Sequence, residues 1–138
     1  MIRDGLFVAD GDWVRDAGPI GSAETVIAAW LYQDIQGGLD SLVMVADAIR
    51  RSSRLGGADF ERSGNAWFLS VDSNGVSVEN HYVDNLGSGI VSHDDVLDVV
   101  RQYWDALVRI GIQGDLRSAL ERFEHQYGRK AEVPWCSD

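Results

Sequence analysis

The stretch Asn65-Ala66-Trp67-Phe68-Leu69-Ser70-Val71-Asp72-Ser73-Asn74-Gly75-Val76-Ser77-Val78-Glu79-Asn80-His81-Tyr82 decides the fold. Two runs of aromatic and β-branched residues flank Asp72-Ser73-Asn74-Gly75. Trp67, Leu69 and Val71 share one parity, and Val76, Val78 and Asn80 resume a period of two after the break. Asn74-Gly75 accepts positive φ at little cost, so the stretch predicts a tight hairpin with Asn-Gly at its tip. A lone hairpin is unstable in water, so its apolar face needs a cover. The helical segments on either side are the candidates.

On the N-terminal side, residues 58–64 read as a polar connection into the hairpin. Before them, Leu42, Val43, Val45, Ala46 and Ile49 give a helix apolar over a broad face, with Asp40 as its cap. Arg50, Arg51 and Arg54 suit its negative end, and Gly56-Gly57 stops it. Ser22 caps an earlier helix in which Ala23, Val26, Ile27, Trp30 and Leu31 recur at helical spacing, up to a stop at Gly37-Gly38. Its β-branched residues leave a strand reading open. Leu6-Phe7-Val8-Ala9 and Trp13-Val14-Arg15, around Asp10-Gly11-Asp12, predict a second, shorter hairpin.

On the C-terminal side, residues 84–89 read as a loop. Ser92 caps the clearest helix, with Asp95 three positions on in a capping-box-like arrangement. Val96, Leu97, Val99, Val100, Tyr103, Trp104, Leu107 and Val108 repeat along one face of it. Asp115 then caps a short helix with Leu116, Ala119, Leu120 and Phe123 inward, ending at Gly128, and an irregular tail follows. The order predicts one α+β domain, residues 1–138, with a mainly antiparallel sheet of two hairpins covered by about four helices.

A 45% apolar composition supplies a core, and the net charge is −10. That charge repels nucleic-acid phosphates and anionic membranes, and it favours a basic partner or simple solubility. Five tryptophans are many for such a domain, and one or two of them are candidates for a contact surface. A single cysteine, Cys136, excludes an internal disulfide and lacks a neighbour that would activate it. Met1-Ile2-Arg3-Asp4-Gly5 carries no signal-peptide pattern and no run is long enough to span a bilayer, so the expected place is the cytoplasm.

No catalytic motif stands out, and no cofactor or metal is expected. His81 near Asp84, and His93 before Asp94-Asp95, could serve a metal site or a general base, but their spacing matches no ligand pattern. Acids recur outside the expected core. Asp10, Asp12 and Asp16 surround Trp13, an acidic rim about an aromatic anchor, which is the composition of a surface for a basic protein. Asp84 and Asp94 are further candidates. The competing reading is a solvated face.

Trp30-Leu31-Tyr32-Gln33-Asp34-Ile35-Gln36-Gly37-Gly38-Leu39 begins a longer pattern. It continues with a Leu-rich helix, with Gly64-Asn65-Ala66-Trp67-Phe68-Leu69-Ser70-Val71-Asp72, with Val76-Ser77-Val78-Glu79-Asn80 and with a helix over 94–107. This order resembles the YacL-like family of small acidic bacterial proteins. It also resembles small immunity proteins of contact-dependent and related polymorphic toxin systems. The likeness runs from Ser22 to Leu107. The immunity resemblance implies a cognate toxin domain as partner, commonly a nuclease with a basic cleft, and neutralisation by binding without catalysis. The YacL-like resemblance implies a housekeeping role, and the histidines a small metal-binding enzyme. Whether copies of the chain associate stays open.

Overall fold

The computed structural model describes residues 4–11, 13–18, 21–36, 38–55, 59–111 and 113–135, with only the backbone of Asp10, Trp13, Leu55 and residues 113–115. The central hairpin forms as its parity dictates. Strands β4 (Trp67–Asp72) and β5 (Gly75–Asn80) pair with Leu69 opposite Val78 and Val71 opposite Val76. All four of these side chains, and Trp67, are buried.

The turn sits one residue earlier than Asn-Gly implies. Asp72 pairs with Gly75, so Ser73 and Asn74 are central, and neither has positive φ. The Asn74 N–H donates to Asp72 Oδ1 at 2.8 Å. This is a turn that favours Asp at its first position and Gly at its last. Gly75 has φ +145, and a Cβ there would lie 2.5 Å from the Val91 carbonyl oxygen. Gly75→Ala should therefore lower unfolding free energy by about 1–3 kcal/mol, read by urea denaturation. An unchanged midpoint would refute the close approach.

Residues 60–63, expected as part of a connection, form a third strand, β3 (Phe60–Ser63), antiparallel to β4. Phe-Glu-Arg-Ser is too short and too charged to announce itself. It is recruited because Phe60 and Arg62 fall opposite Val71 and Leu69. The other hairpin, β1 (Phe7–Asp10) with β2 (Trp13–Asp16), is a separate two-stranded sheet. The α+β fold thus holds two antiparallel sheets, of two and three strands.

Helix α1 (Ala23–Trp30) is capped by Ser22, whose hydroxyl accepts from Thr25 N–H in a capping box with the Thr25 side chain. It runs into a π-helical turn, Leu31–Ile35, and ends on Gln36 in the left-handed region. The wider turn aims Gln33 and Asp34 at the central hairpin. The N–H groups of Ala66 and Trp67 donate to the two Asp34 carboxylate oxygens at 3.0 and 3.1 Å. The Trp67 indole donates to Gln33 Oε1 at 2.8 Å.

Helix α2 (Leu39–Leu55) starts one residue before the expected cap. Leu42 N–H donates to Gly38 O, so Gly38 holds the cap position. Asp40, inside the first turn, instead forms an exposed ion pair with Arg122. Ser92 caps α3 (His93–Arg109) by accepting from Asp95 N–H at 3.2 Å. Helix α4 (Gln113–Tyr127) begins two residues before Asp115 and stops at Gly128, φ +72. α2 packs on α3, α4 and β4; α1 and the β1–β2 hairpin pack on α3.

The tail after α4 is irregular but pinned. The Arg129 guanidinium donates to both Asp47 oxygens at 2.9 and 2.8 Å, and Glu132 N–H adds a third bond to Asp47 at 2.9 Å. Trp135 stacks on Trp104 with ring centroids 5.2 Å apart. No described helix is long and apolar enough to cross a membrane.

Candidate functional site

Beyond β5 the chain folds into a rigid loop. Asn80 Oδ1 accepts from Tyr82 N–H and Val83 N–H at 2.8 and 2.9 Å, an Asx turn. Asn80 N–H donates to Leu86 O, with Asn85 at φ +62 turning the chain. Residues 86–91 then run back along the outer edge of β5. Ser88 N–H donates to Val78 O, Val78 N–H to Ser88 Oγ, and Val76 and Val91 exchange both backbone bonds at 2.8 Å. The sheet edge is thereby closed to stray pairing, and the loop is held in one shape.

This fixed loop displays apolar surface. Tyr82 is 78% exposed, Ile90 73% and Val83 53%. Between Val83 and Ile90 opens a recess of about 540 Å³, lined also by Glu79, Asn80, Asp84 and Leu86 among others. On the adjoining sheet, the outward parity carries Phe68 opposite Glu79 and Ser70 opposite Ser77. Those serines add little bulk, so a partner can approach the strands closely.

The charge along the sequence is uneven. Residues 63–100 contain Asp72, Glu79, Asp84, Asp94, Asp95 and Asp98 and no lysine or arginine. All 12 cations lie before or after that span. Among the described residues the Glu79 and Asp84 carboxylates make no hydrogen bond or ion pair, so their charge faces solvent. Asp94 is exposed in the first turn of α3, where the positive helix end favours it.

The sequence candidates separate into two groups. Asp84 belongs to the loop, at the Asn80 end of β5. Asp94 lies at the other end, since the neighbouring His93 Nε2 meets the Asp72 carbonyl oxygen at 2.7 Å. One strand length, roughly 20 Å, separates those ends. Asp10, Trp13 and Asp16 lie on the N-terminal hairpin, Asp10 pairing with Trp13 and the half-buried Asp16 with Phe7. The side chains of Asp10 and Trp13, and all of Asp12, fall outside the described residues, as does Cys136. That hairpin sits against the middle of α3, with Leu6 N–H donating to Gln102 Oε1 and Phe7 against Tyr103. No contact given by the described residues joins it to Asp84 or Asp94.

The two histidines are also apart. His81 Nε2 lies 3.1 Å from Ser63 Oγ, while His93 braces the far end of the hairpin. Among the described residues, no three His, Cys, Asp or Glu side chains gather as a metal site. Trp30, Trp67 and Trp104 are buried and Trp135 is half-buried; among the described residues Tyr82 is an exposed aromatic side chain. Tyr82, Val83 and Ile90 escaped the sequence reading. The signal that finds them is a cation-free span containing apolar residues outside strand or helix periodicity. Set against family models, curated proteins and solved structures, the chain shows no match.

Proposed function

We propose that this chain is a non-catalytic binding protein that neutralises a basic toxin domain by covering it. The observation that carries the reading is the coincidence, within residues 63–100, of six acids, no cation and an exposed apolar trio on a rigid loop. The six carboxylates of this span attract a positive partner and speed its association. Tyr82, Val83 and Ile90 supply the desolvated contact that holds it once docked. A toxin that cuts nucleic acid must present positive charge to phosphates, and a negative cover excludes that substrate. Asp84 and Asp94 lie within this span, at opposite ends of β5. In sequence, Asp10, Asp12 and Asp16 make a second acidic group about Trp13, which the same partner can use if it is large.

The test is co-purification with the product of the adjacent gene, followed by titration at low and high salt. A one-to-one complex that weakens with salt is expected. In the same titration, Tyr82→Ala combined with Ile90→Ser should weaken binding by roughly 30-fold, the loss of a moderate hot spot, with no change in thermal midpoint. A salt-independent complex, or one indifferent to both substitutions, would refute the reading.

A further inference from the structure

Resting on that reading, we infer that the recess beside Ile90 takes an arginine side chain of the basic partner. Its volume of about 540 Å³ exceeds one side chain, so the adjoining backbone of the partner enters with it. Two carboxylates that are unpaired among the described residues, Glu79 and Asp84, stand on its wall, each followed in sequence by an amide, Asn80 and Asn85. Val83, Leu86 and Ile90 supply the apolar part of the lining.

That pairing of features discriminates between cations. A lysine ammonium is compact and strongly hydrated, and in a recess open to water it gains little by entering. A guanidinium is planar and weakly hydrated and carries five donors, enough for two carboxylates and an amide oxygen at once. Its three-carbon stem can lie against Val83 and Ile90 while the head reaches the acids. The absence of any lysine or arginine from residues 63–100 leaves those acids without a competing neighbour in the local chain. The loop's internal hydrogen bonds hold the recess open before a ligand arrives, which lowers the ordering cost of binding.

Backbone-amide NMR of the intact chain, titrated with Nα-acetyl-arginine methylamide, tests this without the partner. Saturable shifts confined to residues 77–90 are expected, several-fold weaker with the lysine analogue and absent with citrulline. They should vanish in Glu79→Gln/Asp84→Asn and persist in Asp98→Asn, an exposed acid outside the recess. Shifts spread over all acidic residues, an equal response to lysine, or survival in the double variant would overturn the arginine assignment. A silent recess beside an intact, salt-sensitive complex would retire this inference and leave the binding function standing. An arginine response with no complex would do the reverse.

Discussion

Trp67→Ala is expected to remove about 4 kcal/mol of stability, the range for emptying a large aromatic site in a packed core. Trp67 is 1% exposed on the inner face of β4, in the same buried core as Leu69, and a packed core of fully buried side chains cannot collapse to replace its ring. Trp67→Phe should cost much less, about 1–2 kcal/mol, from the smaller ring and the lost bond to Gln33. Urea or thermal unfolding followed by tryptophan fluorescence and circular dichroism separates the two. Similar midpoints for both variants would mean that the hairpin face is not the packed centre.

Asp47→Ala should be nearly as damaging, by about 3 kcal/mol. Asp47 is buried on α2 and accepts three hydrogen bonds from the tail, two of them from Arg129. Deleting it strands the guanidinium and the Glu132 N–H together. The figure sits at the low end for breaking a buried pair because the Arg129 side chain keeps 34% of its surface in water. Limited proteolysis should then cut between residues 128 and 135 before the rest unfolds. The hydrogen bonding of Arg129 to Asp47, ahead of the coulombic pull of Asp47 and Glu132, raises the Arg129 pKa above an already high value. A raised folded pKa gives stability that is lost only as pH climbs through it, so the strap holds throughout the accessible alkaline range. Loosening of the tail at mildly alkaline pH would contradict that.

What could be read from the sequence follows from how local its cause is. The β4–β5 pairing and the α3 stripe depend on residues a few positions apart, and both form where their periods place them. The turn shifted by one residue because Asp72 competes for the tip through its own side chain, which the Asn-Gly pair conceals. β3 was hidden because Phe-Glu-Arg-Ser has no strand pattern of its own and exists only opposite β4. The strap escaped notice because Asp47 and Arg129 lie 82 residues apart. The acidic candidates Asp84 and Asp94 were visible as charge, but the apolar trio among them was not. Tyr82, Val83 and Ile90 fit no element, and only the folded loop shows that they face water.

The proposed function stands on the loop after β5 meeting a partner while the surface at the end of α4 stays free. Oxidative footprinting of the complex with the adjacent gene product reads this directly, because exposed tyrosines lie at both places. Tyr82 on the loop and Tyr127 at the end of α4 are both exposed in the free chain, at 78% and 47%. In the complex, labelling of Tyr82 and Ile90 should fall several-fold while Tyr127 labels as before. Full labelling of Tyr82 with protection of Tyr127 would place the partner at α4 instead of the loop and contradict the proposal.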